Sequence, residues 1–176
     1  MKLKEFHPTI LRFESISSTN TYLKENYKDL NNHTIVLADF QTDGKGQFEH
    51  TWISEPFQNL LCSILLKDDI SSEVCNQVIV DTILNTLSHF GIKAWYKAPN
   101  DIFVNSNKIA GVLIETKYVD TYREYIIIGV GFNINQTTFP AFNATSLALE
   151  LNSKVDVQKV FTIFIDSFKI ELIKHI

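Results

Sequence analysis

Two apolar runs constrain this chain more than any other feature. "NLLCSILL" (59–66) and "YIIIGVGFNI" (125–134) are short, dense in leucine and isoleucine, and bounded by polar or turn residues, so both read as buried strands. "HTIVLADF" (33–40), β-branched and mostly apolar, predicts a third. Helical spacing occurs in "SSEVCNQVIVDTILNTLSHFG" (71–91), which is apolar at 75, 79, 83, 87 and 90, with Gly91 placed as a C-terminal cap. It recurs at the end of the chain. There Val157, Val160, Phe161, Phe164, Ile165, Phe168 and Leu172 share one face behind Asp156 as N-cap. "SSTNTYLKENY" (17–27) predicts a helix opened by hydroxyl and Asn caps, and "ATSLALEL" (144–151) a short one. Short strands are expected near 93–97 and 101–105, and the turn "NSN" leads into "KIAGVLIE". This order lacks regular βαβ alternation. The expected class is α+β, a mixed β-sheet packed with helices, in a single domain spanning 1–176.

Composition removes several functions. The formal charge is −4 with scattered lysines, which does not provide the concentrated basic face that nucleic acid requires. Cys62 and Cys75 sit in apolar contexts without a CxxC pair, so they read as reduced packing residues of a cytoplasmic protein. The start "MKLKEFHPTILRF" has neither the apolar stretch nor the cleavage site of a signal peptide. No apolar run approaches the roughly 20 residues that span a membrane. The five histidines are scattered and no HExxH occurs, which argues against a protein-held zinc.

Three segments interrupt the regular pattern. Residues 41–56, "QTDGKGQFEHTWISEP", form a long polar loop carrying Gly44, Lys45 and Gly46. Two glycines let backbone approach a ligand, and the lysine offers a positive charge to a carboxylate or phosphate; a flexible turn needs the same residues. In "YKAPNDIFVNSNKIAGVLIE" (96–115), Asn100 and Asp101 follow a proline at a strand start. An Asn amide there can read an adenine edge and an Asp can hold Mg²⁺, while a surface hairpin explains the same residues. Lys108 stands at a strand end after the turn. "GVGFNIN" (129–135) places glycines inside a strand, which marks either a closely approaching ligand or backbone, or a bulge.

Taken in order, "SSTNTYL", "ADFQTDGKGQFEHTWISE", "NLLCSILL", "YKAPNDIFVNSNKIAGVLIE" and "IIGVGFNIN" resemble the biotin–protein ligase (holocarboxylase synthetase) family. The resemblance implies a catalytic domain related to class II aminoacyl-tRNA synthetases. It implies an ATP- and Mg²⁺-dependent reaction in which biotin becomes biotinyl-5′-AMP and passes to a lysine of a biotin carboxyl carrier domain. The protein would act as a monomer or homodimer, without nucleic acid or membrane. Ser18, Thr19, Asn20, Gln41, Gly44, Lys45, Gly46, Gln47, Lys108 and Gly111 are then expected at biotin. Trp52, Asn100, Asp101, Asn133, Gln47 and His50 are expected at the nucleotide. Lys108, Lys45, Lys97 and Asp101 would serve the chemistry, with Asp101 the expected Mg²⁺ ligand.

The chain departs from the family pattern at defined places. The GRGRxGR loop reads "GKGQFEH", so Lys45, Gln47 and His50 stand where arginines are expected. KWPND reads "KAPND", which removes a tryptophan at Ala98; Phe103 or Phe132 are the expected fillers. Neither the winged-helix domain nor the SH3-like domain of longer members is expected. Two other readings stand beside a full biotin ligase: a biotin- or biotinyl-AMP-binding module with weak ligation, and a lipoate or octanoate ligase relative. The RRxxGGG block and the lysine followed by Gly-x-Ala expected of the latter are absent.

Overall fold

The computed structural model describes residues 6–48, 50–139 and 143–175. Glu49 of the expected loop, Ile176 of the expected closing helix and the first five residues lie outside the described residues. The strands are β1 (Thr9–Ile16), β2 (Thr34–Gln41), β3 (Leu60–Leu66), β4 (Trp95–Lys97), β5 (Asp101–Val104), β6 (Asn107–Val119) and β7 (Tyr122–Phe132). The helices are α1 (Thr19–Asn26), α2 (Ser72–His89), α3 (Leu147–Leu151) and α4 (Val157–Lys174). The strands form one sheet in the order β1-β2-β3-β7-β6-β5-β4. Only β1 and β2 run parallel among the paired strands; the other pairs are antiparallel. The expected mixed α+β sheet is therefore present.

The two apolar runs became neighbours at the centre of the sheet. Every residue of β3 is buried, because both of its faces are covered. Leu60, Cys62, Ile64 and Leu66 join a large core under α2 and α4, which takes in Val78, Ile83, Phe164 and Phe168. Leu65 points the other way, into a smaller cluster under α1 with Leu23, Val36 and Ile127. Alternation places Ser63 on that second face, beside Leu65. The helices start where the sequence supplies oxygen caps: Ser18 accepts from Thr21 N, Ser71 from Val74 N and Asp156 from Gln158 N. Gly91 follows α2 with φ +75°, a conformation that favours glycine.

The expected elements missed β1. Its "TILRFESI" is an edge strand, exposed at Ile10, and its charged residues mask the alternation. The β6–β7 hairpin also reaches further toward its turn than the expected strands. α3 begins at Leu147, because Ala144 is held by a bridge to Lys108 and Ser146 takes the cap position. Cys62 and Cys75 are free and buried, and burial pushes both thiols up to about 12. Among the described residues, no helix is long and apolar enough to cross a membrane.

Candidate active site

The sheet face that carries α1 changes character partway along the strands. Under α1 it is apolar. One row further, Ser63 of β3 pairs with Gly129 of β7, and beyond that Gly131 of β7 pairs with Gly111 of β6. Asp101 of β5 pairs with Gly111 and completes that row. A Cβ on Gly131 would stand 2.3 Å from Trp52 Cε2, and one on Gly111 would stand 2.9 Å from Trp52 Cζ3. A Cβ on Gly129 would meet Asn20 Oδ1 at 2.2 Å. The glycines in "GVGFNIN" and "KIAG" thus receive two of the chain's own side chains, Asn20 and the indole of Trp52.

Above this floor lies a cleft of about 700 Å³. All the residues expected at the site line it except Gly44. Gly44 lies underneath, where a Cβ would be 2.5 Å from the Trp52 carbonyl oxygen. The loop curls back on itself there. Trp52 N donates to Gly44 O at 2.9 Å, Gly46 N donates to His50 O at 2.7 Å, and Lys45 bridges to Thr51. This curl presents Gly46, Gln47 and His50 to the cleft. The Lys45 ammonium is paired with Asp43 at 2.5 Å, so the loop neutralises its own cation.

At one end of the cleft stands the first turn of α1, with Ser18 as its cap. Gln41 Oε1 accepts from Thr19 N at 2.8 Å and from Thr19 Oγ1 at 3.0 Å. At the other end Lys108 Nζ lies 2.7 Å from Asp101 Oδ1 and 5.3 Å from the Trp52 ring centroid. The Asp101 contact is an ion pair by distance but lacks hydrogen-bond alignment, and Oδ1 is buried without a hydrogen-bond partner. The backbone of Lys108 is fixed by the segment ahead of α3: Lys108 N donates to Asn143 O and Thr145 N donates to Lys108 O. Asn133, almost fully buried, donates from Nδ2 to Thr145 O at 3.1 Å and ties down the same segment. Asn100 accepts Val112 N on its backbone carbonyl at 2.8 Å, which holds the "PND" turn against β6.

Lys97 Nζ lies 5.0 Å from the Phe103 ring, and Trp95 packs on that ring at 5.3 Å. Phe103 lines the cleft; Ala98 is exposed and does not. Phe132, the other expected filler, is fully buried in the large core on the opposite face of the sheet. That half of the expectation is corrected by the alternation of β7. Among the described residues, Asp101 is the sole carboxylate lining the cleft, and an ammonium already occupies it. One carboxylate beside a lysine is a poor donor set for a resident Mg²⁺, which prefers six oxygens.

Ser63, Glu115, Asp43 and Phe48 stand at or behind the cleft without an expected role. Ser63 left one signal, a lone hydroxyl in an otherwise apolar strand. Phe48 is 86% exposed at the cleft mouth, an aromatic that the loop does not bury.

Cations and directional hydrogen-bond groups over a glycine floor define an α+β domain suited to holding a small anionic ligand. The family model for "Biotin/lipoate A/B protein ligase family" matches residues 12–133, and the chain belongs to that family. It is 33% identical over 132 residues to the bifunctional ligase/repressor BirA of Bacillus subtilis, covering 70% of this chain and 41% of that protein. It is 30% identical over 131 residues to a human biotin–protein ligase, covering 68% of this chain and 18% of that one. The chain therefore spans less than half the length of either relative. Among solved structures, the biotin protein ligase of Aquifex aeolicus in complex with biotin and ATP superposes with a TM-score of 0.81 at 25% identity, covering 94% of this chain and 70% of that chain. LipL1 of P. falciparum in complex with lipoate shares the fold, at a TM-score of 0.62 and 16% identity over 97% of this chain and 64% of that chain.

Proposed function

We propose that this chain is the catalytic part of a biotin–protein ligase, which activates biotin with Mg·ATP and transfers it to a lysine of a biotin carboxyl carrier domain. The observation that carries the reading is one cleft with Gln41 and Thr19 at one end and Lys108 beside Asp101 at the other. A urea ring suits the first end, and a carboxylate with an α-phosphate suits the second. In the first step a biotin carboxylate oxygen attacks the α-phosphorus, the bond to the pyrophosphate oxygen breaks, and biotinyl-5′-AMP remains. Both reactants are anions, so cations fixed where charge accumulates lower the barrier. Lys108 supplies that charge after exchanging Asp101 for the ligand, Lys97 adds to it from the rim, and Lys45 does so once it leaves Asp43. Magnesium belongs with the nucleotide, as Mg·ATP. In the second step the carrier lysine amine attacks the acyl carbon, the C–O bond to AMP breaks and the amine loses a proton. No covalent nucleophile of the protein is needed, so positioning carries much of the catalysis.

The test is pyrophosphate release with ATP and either biotin or lipoate, followed by a biotin blot of a carrier domain. We expect release with biotin alone and a labelled carrier. Release only with lipoate would overturn the reading. Release with biotin and no labelled carrier would reduce it to an adenylating module.

A further inference from the structure

Behind the side chains that face the cleft, two residues determine how they point. We propose that Ser63 and Glu115 are positioning residues that lock the α1 end of the cleft into a hydrogen-bond donor set for a carbonyl oxygen, and so select a cyclic urea over an apolar ring. The inference rests on the biotin reading above.

Asn20, in the first turn of α1, lays its amide over Gly129. Both ends of that amide are committed. Oδ1 accepts from Ser63 Oγ at 2.5 Å, and Nδ2 donates to Glu115 Oε2 at 2.8 Å. Asn20 therefore has its orientation set by Ser63 and Glu115, with one Nδ2 proton left over. Ser63, fully buried on β3, also lies 2.6 Å from Thr19 Oγ1. Glu115 on β6 is held by Lys24 Nζ at 2.9 Å, so its charge is met by the helix it anchors. Strands β2, β3 and β6 thus clamp one turn of α1, through Gln41, Ser63 and Glu115.

The clamp sets a direction at Gln41. Its Oε1 is taken by Thr19, so the amide group left for a ligand is the NH₂. A urea carbonyl accepts from that group; a dithiolane ring offers it no oxygen. An unpaired buried donor is costly, which turns hydrogen-bond direction into selectivity. Ser63 and Thr19 have two hydroxyl protons for the three links of the chain Asn20–Ser63–Thr19–Gln41, so at any moment one link is a contact without a proton. Removing the Ser63 hydroxyl, or the Glu115 acceptor, frees Asn20 to rotate and loosens the first turn of α1, whose Thr19 N–H and hydroxyl orient Gln41.

Steady-state pyrophosphate release tests this with Ser63→Ala, Glu115→Ala, Glu115→Gln and the double alanine variant. We expect each alanine change to raise the KM for biotin about tenfold or more, with kcat and the KM for ATP within about twofold of wild type. Selectivity for biotin over lipoate should fall in parallel. Glu115→Gln keeps an acceptor oxygen and should recover most of the loss. The double variant should cost little more than either single one, because both residues act through Asn20. Folded alanine variants with an unchanged biotin KM would overturn the proposal, as would biotin and ATP KM values rising together. Should Ser63→Ala fail to fold, the Glu115→Ala and Glu115→Gln pair decides by the same measurements. A wild-type protein with no response to biotin removes the biotin reading first, and this proposal with it.

Discussion

Lys108 is held by an anion and an aromatic ring, and both holds matter for what its removal does. Asp101 lies 2.7 Å away and the Trp52 ring 5.3 Å away. Lys108→Ala takes the central cation from the cleft, and removing one such preorganised charge costs about 10²–10³ in kcat. It also leaves Asp101 with a buried oxygen and no counter-charge, which costs roughly 1–3 kcal/mol of stability. We therefore expect Lys108→Ala to lose pyrophosphate release by about a hundredfold or more and to melt at a lower temperature. Adding Asp101→Asn should restore the melting temperature in calorimetry without restoring activity. Activity near wild type in the single variant would show that Lys108 is not at the reacting centre.

At the scale of elements, the middle of the loop between β2 and β3 is anchored by one side chain lying on a glycine pair. The indole of Trp52 rests on Gly111 and Gly131, and the described residues of 44–52 otherwise bond among themselves, while the loop's ends are fixed by Thr42 N and Asp43 N on Ile16 O and Ser17 O and by Glu55 N on Gln136 Oε1. Gly131→Ala would put a methyl 2.3 Å from the ring, so the indole must move. In a Trp95→Phe background, where Trp52 is the remaining tryptophan, the emission maximum should shift to longer wavelength as Trp52 becomes solvated. The KM for ATP should rise in the same protein. An unshifted spectrum would mean the floor can yield around the added methyl. The sequence announced most elements because β3, β7, α2 and α4 are apolar at a clear period. It concealed β1, since an edge strand with Arg12 and Glu14 needs only half the burial. The cleft residues were legible through glycine, lysine and the "PND" turn. Ser63 and Glu115 were not, because their partners lie 43 and 95 positions away and no local pattern encodes such a meeting.

For the whole molecule the sheet is a partition: α2, α4 and the large core on one side, α1 and the cleft on the other. Successive residues of β3 serve the two halves, Cys62 the core and Ser63 the cleft. A joint between chain segments sits where β3 ends. Asp68 accepts from Asn32 Nδ2 at 3.0 Å and lies 2.8 Å from His33 Nε2. Burial pushes its carboxyl up, but the hydrogen bonds to His33 and Asn32 outweigh that and hold it below its ordinary value. A carboxyl held low in the native state binds fewer protons there than in the unfolded chain. Its contribution is full above the unfolded value of about 4 and is lost as pH falls through the lowered native value. Asp68→Asn should therefore lower the urea midpoint at pH 7, by an amount equivalent to roughly 1–3 kcal/mol, and the gap to wild type should close toward pH 3. A gap independent of pH would point to packing instead. The two thiols give the same partition a practical use. Both are enclosed on the α2 and α4 side and kept in the unreactive protonated form, so an alkylating reagent reaches them only when that core opens. Mass added during a timed pulse of iodoacetamide then counts openings of the core, with no foreign dye or inserted cysteine. If the cleft half loosens independently, biotin will leave that count unchanged while it protects the backbone amides of α1.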